Sequence, residues 1–255
     1  MQNRKKIFVT NDDGIYAHGL SILVKEMEKL GDVLCIAPER PHSGMSHAIT
    51  FSNPLNIEKH RDEPGITTYS LSGTPVDCIK FALDKFYQTE KPDLIVSGIN
   101  HGSNSSICAI YSGTVAAARE GAINNIPSIA FSSLLHDKHA DFSCYSNIVY
   151  SISEKVLQNG IPNYVFLNIN FPDTPEIRGT CISRQADGIW VERFEHRTDP
   201  HSRDYYWLTG EFKNVEPDAE ETDEWLLKEG YASITPLRIE KTDIASMNKL
   251  SFLNS

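Results

Sequence analysis

Residues 5–40 read KKIFVTNDDGIYAHGLSILVKEMEKLGDVLCIAPER, and the apolar periods inside that stretch decide the fold class. Residues 7–10 are a short apolar, β-prone run ending in Asn-Asp-Asp-Gly. Leu20, Leu23, Val24, Met27 and Leu30 then recur at helical spacing until Gly31 stops the helix, and residues 33–37 form the next strand. The unit is strand, helix, strand.

The same alternation continues outward. Strands are expected at residues 67–71, 94–97, 126–131 and 164–169. Between them run helices marked by Val76, Ile79, Leu83 and Phe86, by residues 114–122, and by Tyr145, Ile148, Val149, Ile152 and Val156. Such alternation predicts an α/β protein with a doubly wound, mostly parallel sheet covered by helices on both faces. After Pro172 the pattern changes. Aromatic-rich pieces at 189–194 and 205–208 read as hairpins, and residues 211–230 hold eight acids against two lysines before a short helix near 221–229 and a strand at 231–235. Residues 1–170 are taken as the core and residues 171–255 as a β-rich arm.

The 255 residues are long enough to bury a core without disulfide or metal, since a chain of this size hides roughly 70–75% of its unfolded surface. With 24 Lys+Arg against 34 Asp+Glu the formal charge is −10, which argues against nucleic acid as a partner. The five cysteines are dispersed and form no C-x-x-C, as in a reducing compartment. Arg4-Lys5-Lys6 precedes too short an apolar run for a signal peptide, and no run reaches membrane-spanning length. A cytoplasmic protein with no membrane partner is the expectation.

In an open parallel sheet, ligands bind beyond the carboxyl ends of the strands. Asn11-Asp12-Asp13-Gly14, Pro38-Glu39-Arg40-Pro41-His42-Ser43-Gly44, Ser72-Gly73-Thr74 and Ser97-Gly98-Ile99-Asn100 all fall at such ends. Adjacent carboxylates repel unless solvated, sharing a proton or bridged by a cation. Asn11 or Asp12 could equally be capping a helix, with Gly14 making the turn. Ser43 and Asn100 add neutral oxygen donors, and an all-oxygen set selects Mg²⁺ or Mn²⁺ over Zn²⁺. Ser72-Gly73-Thr74-Pro75 carries Asp77 three residues after Thr74, a capping box that need bind nothing. Ser112-Gly113-Thr114 has Ala117 at the matching position, which leaves helix N–H groups freer for an anion. His18, His42, His47 and His101 lie in the same loops. P-loop, dinucleotide and G-x-S-x-G signatures are absent.

These blocks, with His47-Ala48-Ile49-Thr50, Val76-Asp77-Cys78, His101-Gly102 and Tyr111-Ser112-Gly113-Thr114-Val115, closely resemble the SurE (survival protein E) family of metal-dependent nucleotidases. They occur in family order over most of residues 7–125, with weaker similarity through Asn168-Ile169-Asn170-Phe171-Pro172 and Ser233-Ile234-Thr235-Pro236-Leu237. The resemblance implies a Rossmann-like core and hydrolysis of nucleoside monophosphates to nucleoside and phosphate. It implies one divalent ion per subunit, Mg²⁺ or Mn²⁺, held at Asp12, Asp13, Ser43 and Asn100. It also implies a homodimer or homotetramer assembled through the C-terminal arm. His18 stands where the family commonly has Pro, and Ser106-Ile107-Cys108 stands where it commonly has a small, acidic stretch.

The expected chemistry is phosphomonoester hydrolysis with Asp12 and Asp13 as catalytic ligands, Asp12 being the one set to orient or deprotonate the nucleophile. Gly44, Asn104, Ser112, Gly113 and Thr114 are expected to hold the substrate. The changed loop at 106–108 motivates a rival reading, a catalytically silent nucleotide-binding regulator. A metal-dependent deacetylase would require a His-Pro-Asp-Asp-Glu-like start, and Asn11-Asp12-Asp13-Gly14 lacks its His and Glu.

Overall fold

The computed structural model describes residues 4–135, 141–174 and 176–254. In chain order the elements are β1 (Lys5–Thr10), α1 (His18–Glu28), β2 (Gly31–Pro38), β3 (Ile57–Glu63), β4 (Ile66–Leu71), α2 (Pro75–Lys85), β5 (Leu94–His101), α3 (Cys108–Tyr111), α4 (Gly113–Ile123), β6 (Ser128–Ser133), α5 (Ser146–Asn159), β7 (Val165–Phe171), β8 (Thr180–Ile182), β9 (Gly188–Thr198), β10 (Asp204–Asn214), α6 (Asp223–Lys228), β11 (Ala232–Arg238) and α7 (Ile244–Lys249).

Nine strands form one sheet in the order β3-β4-β2-β1-β5-β6-β7-β11-β8. The six from β4 to β7 run parallel, while β3 and β11 pair antiparallel with β4 and β7. The chain winds outward from β1 through α1 to β2, then returns through α2 to β5 on the other side of β1. The reversal makes a switch point between β1 and β5, where the carboxyl ends of the two strands open a crevice.

Period-two alternation on the central strands explains the two layers. Ile7 and Val9 of β1 join Leu20, Leu23, Val24 and Met27 of α1 and Val149, Ile152 and Val156 of α5 in one apolar cluster. Phe8, between them, faces the opposite side with Ile79 and Ala82 of α2 and Ala117 of α4. Each large side chain so buried contributes about 1.5–3 kcal/mol relative to exposure, which fixes the register of β1 and the direction of its last residues.

Several boundaries differ from expectation. β5 runs on to His101, with a register shift against β6 between Ser97 and Asn100, so Ser97-Gly98-Ile99-Asn100 belongs to the strand instead of following it. β6 begins at Ser128 and ends at Ser133, two residues later than the apolar run suggested. β3 was not anticipated: six of its seven residues are charged or His (Glu58 to Glu63), and no period-two pattern marks it. Charge on an edge strand is how a sheet avoids pairing with another sheet, so the reason the strand was illegible is the reason it is tolerated. The short β8, α3 and α7 also escaped the reading.

Beyond residue 171 the chain divides its labour. β8, α6 and β11 rejoin the sheet and its flank, whereas β9 and β10 form a separate antiparallel ribbon paired from Gly188 with Asn214 to Thr198 with Asp204. Among the described residues no helix is long and apolar enough to cross a membrane.

Candidate active site

Asn11 closes the turn that follows β1. Its side-chain Nδ2 donates to the Gly14 carbonyl (3.0 Å) and its Oδ1 accepts from the Gly14 N–H (3.2 Å). α1 begins only at His18, its N-cap is Ala17, and no side chain caps it. Neither Asn11 nor Asp12 therefore serves as a helix cap, and Asp12 and Asp13 remain available at the strand end.

Asp12 is buried, and its Oδ1 accepts a hydrogen bond from the Thr114 hydroxyl. The Thr114 backbone N–H also turns toward it. α4 can approach this closely because its first residue is glycine: a Cβ on Gly113 would lie 2.9 Å from Asp12 Cβ and 3.1 Å from Asp12 Oδ2. Asp13 is half-buried, and its Oδ2 accepts from the His101 backbone N–H (3.1 Å). Burial, reinforced by the neighbouring Asp13 charge, pushes the Asp12 carboxyl up to about 6. Burial also raises Asp13, against hydrogen bonding from His101. Among the described residues neither carboxylate has a Lys, Arg or His ion-pair partner. Two adjacent, partly desolvated carboxylates with no ion-pair partner, only the His101 charge opposing burial at Asp13, suit a cation.

Asn100, at the end of β5, donates through Nδ2 to the Gly102 carbonyl (2.8 Å), which leaves its amide oxygen free as a neutral donor. Ser43 lies on the segment between β2 and β3, which packing pins along its length. The His42 N–H reaches the Asp12 carbonyl (2.8 Å), and Ser46 donates through N to Tyr111 O (2.9 Å) and through Oγ to Ile110 O (2.7 Å). His47 Nε2 meets Glu120 Oε2 at 3.0 Å. Although burial opposes it, hydrogen bonds from His47 and Lys80 hold the Glu120 carboxyl below the usual range. The donor set of two carboxylates, a hydroxyl and an amide oxygen fits a hard divalent ion, and among the described residues no cluster of three His, Cys, Asp or Glu offers a rival site.

The capping box at Thr74 forms as the spacing predicts. Asp77 N–H donates to Thr74 Oγ1 (3.2 Å) and Thr74 N–H to Asp77 Oδ2 (2.9 Å), with Pro75 in the first turn. Those groups also hold the Ser43 segment: Thr50 donates to Asp77 through N (3.0 Å) and Oγ1 (2.6 Å), and Thr74 Oγ1 donates to Ala48 O (2.7 Å). Ser72-Gly73-Thr74 stays outside the cavity.

A cavity of about 520 Å³ opens at the switch point. Its inner wall carries Asp12, Ser43, Gly44, Asn100, Asn104 and Ser112. Of the expected site residues, Asp13, Gly113 and Thr114 are not on that wall: Asp13 lies beside it on the His101 amide, and Gly113 and Thr114 are pressed onto Asp12. Ser112 caps α4 by accepting from Val115 N–H (3.0 Å). Asn104 is fixed from behind, where its N–H donates to Asn170 Oδ1 (2.8 Å), its Nδ2 to Ser132 Oγ (2.7 Å), and Asn168 Nδ2 donates to its carbonyl (2.8 Å).

Sequence reasoning missed the outer wall, made by Cys108 and Tyr111 of α3 and by Trp190, Glu192, Leu208, Thr209 and Gly210 of the ribbon. The aromatic clusters at 189–194 and 205–208 were the only signal, and they point outward as readily as inward. The changed stretch at 106–108 is well anchored. Ser106 N–H donates to Asp223 Oδ2 (2.9 Å), Ser106 Oγ to Ala186 O (2.8 Å), and Ser105 Oγ to Glu224. Acidic side chains at the start of α6 thus clasp a loop that itself carries no acid. Burial raises the Cys108 thiol, with Trp190 opposing.

A family model described as "Survival protein SurE" matches residues 7–192. A protein of Flavobacterium psychrophilum named "5'-nucleotidase SurE" is 48% identical over 239 residues, covering 92% of each chain. One of the same name from Phocaeicola vulgatus is 42% identical over 248 residues, covering 97% of this chain and 96% of its own. The crystal structure of the SurE protein from Aquifex aeolicus superposes with a TM-score of 0.83 at 35% identity, over 98% of this chain and 100% of that one.

Proposed function

The chain belongs to the SurE family, and from that membership we propose that it is a 5′-nucleotidase, a metal-dependent hydrolase that converts nucleoside monophosphates to nucleoside and phosphate. The observation that carries this reading is the desolvated Asp12–Asp13 pair, free of ion pairs, at the β1–β5 switch point beside a cavity of nucleotide size. Asp12, Asp13, Ser43 and Asn100 would hold one Mg²⁺ or Mn²⁺ per subunit. Bound there, such an ion supplies Lewis acidity toward a phosphoryl oxygen and acidifies a water ligand.

The chain's own residues do the rest. Asp12 lines the cavity with its carboxylate oriented by the Thr114 hydroxyl, an arrangement suited to orienting the attacking water and accepting its proton. Asn104, Ser112 and the backbone at Gly44 would grip the phosphate, with Gly113 and Thr114 acting through Asp12. The water oxygen bonds to phosphorus as its proton passes to Asp12, the ester P–O bond breaks, and the nucleoside oxygen leaves with a proton from solvent, to which Asp12 then returns its own.

Residues 171–255 would assemble the chain into a homodimer or homotetramer. Phe194, Tyr206 and Trp207 on the ribbon and Ile244, Met247, Phe252 and Leu253 at the C-terminal end are apolar and exposed, more than an isolated chain would leave wet. All five cysteines are free thiols, in keeping with the cytoplasm. The test is inorganic phosphate release from nucleoside 5′- and 3′-monophosphates with Mg²⁺, Mn²⁺ or EDTA. Metal-dependent release from the 5′-monophosphates is expected. A folded protein that releases none would overturn the proposal.

A further inference from the structure

The inner wall of the cavity is polar and belongs to the strand ends, while the outer wall is a β-ribbon whose side chains perform no chemistry in the reaction above. In the β9–β10 register Glu192 stands directly opposite Gly210, Trp190 opposite Phe212, and Phe194 opposite Leu208. Directly paired residues share a face, so Trp190, Glu192, Leu208 and Gly210 present one surface, and these four line the cavity. Trp190 is 40% exposed although it stands at a cavity wall, and Phe212 meets it edge-on at 6.1 Å, which fixes the plane of the indole. A broad aromatic face left wet in a pocket is a platform for a planar ring. Gly210 contributes no side chain opposite Glu192, and a Cβ there would lie 2.9 Å from the Val191 carbonyl, so the two strands approach closely at this pair.

We propose that this ribbon face is the nucleobase subsite, with Trp190 as the stacking surface and Glu192 as the group that selects guanine. The inference rests on the nucleotidase reading for its ligand class. A carboxylate offers two acceptors and no donor. Guanine alone among the common bases presents two adjacent N–H donors on its Watson–Crick edge, N1–H and the exocyclic amino group. They match the two oxygens of Glu192 in a bidentate, charge-assisted pair. Adenine and cytosine set an amino group beside a lone-pair nitrogen, and uracil sets one N–H between two carbonyls. Each of these turns a lone pair toward the carboxylate.

The test uses nucleosides, the reaction's products, so that turnover does not enter. Titration calorimetry of the full-length protein should show guanosine binding at least tenfold more tightly than uridine. In Glu192→Gln, whose amide can donate as well as accept, that ratio should fall below threefold and adenosine should gain relative to guanosine. Trp190→Ala should weaken all three nucleosides together. Equal affinity of the native protein for guanosine and uridine, or a ratio unmoved in Glu192→Gln, overturns the proposal. Glu192 is exposed on the ribbon, so its replacement leaves the fold intact. The two readings fail separately. Selective guanosine binding with no phosphate release from any nucleotide removes the hydrolase and leaves the subsite. Release from every nucleotide without base discrimination removes the subsite alone.

Discussion

The two walls of the cavity are built on opposite principles. The inner wall is held at the sheet's switch point by buried groups with few degrees of freedom: Asp12 under Thr114 and Gly113, Asn104 on Asn168, Asn170 and Ser132. The outer wall, apart from Cys108 and Tyr111 of α3, is a two-stranded ribbon whose residues are largely exposed and whose pairing is entirely within itself. Holding unpaired carboxylates in a desolvated place costs folding free energy, and such a cost is tolerated where it serves chemistry. An exposed ribbon carries little of that burden, so its side chains can vary with the substrate. On the proposed reading, reaction and selection fall to different parts of the chain.

The sharpest way to break this division is Asp12→Asn. Phosphate release should fall by about a thousandfold or more, the scale of losing a positioned base together with a metal ligand, with the circular dichroism spectrum unchanged. Retention of near-native turnover would place the chemistry elsewhere. Gly113→Ala probes the same wall through its supporting helix. A methyl group 2.9 Å from Asp12 Cβ has to displace either Asp12 or α4, and about a hundredfold loss of kcat with roughly 1–3 kcal/mol of destabilisation is expected from kinetics and thermal melts.

A third prediction concerns pH. Asp12 is raised on folding, so the folded chain binds its proton more tightly than the unfolded chain does. Its contribution to stability is therefore greatest below the ordinary carboxylate range and declines as pH rises toward and through about 6. In metal-free protein, Asp12→Asn should be more stable than the native chain at pH 7.5, by about 1–3 kcal/mol. That advantage should vanish near pH 4. Equal denaturation midpoints at both pH values would show that the carboxylate is not desolvated. The outer wall should respond least: Trp190→Ala is expected to raise KM about tenfold, the scale of one lost stacking contact, with kcat within threefold. A fall in kcat without a change in KM would mean that the ribbon takes part in the chemistry.

The inner wall was legible because strand-end logic and chemistry agree there. Asp12, Ser43 and Asn100 sit where an open parallel sheet binds ligands, and their residue types suit a hard cation. Thr114 was expected to hold the substrate, whereas its hydroxyl is turned onto Asp12. A Ser-Gly-Thr helix start looks the same whether it faces a phosphate or a carboxylate of its own chain, and only the approach of α4 to β1 decides which. Trp190 and Glu192 lay inside an expected hairpin, but their place at the cavity was not legible, because their common face depends on pairing Gly188 with Asn214 across a long hairpin. The fold shows a parallel contrast. β1 and β2 announced themselves through buried periodicity, whereas β3 carries charge on an exposed edge and is recognised only by its hydrogen-bonded partner β4.

The claim on which the rest depends is that Asp12 and Asp13 form a cation site. Mn²⁺ titrated into metal-stripped protein and followed by electron paramagnetic resonance tests it without any assay of activity. The account predicts one tightly bound ion per chain in the native protein, and loss of that binding when Asp12 and Asp13 are both changed to Asn. Equal Mn²⁺ binding by the native protein and the double variant, or none by either, would contradict it.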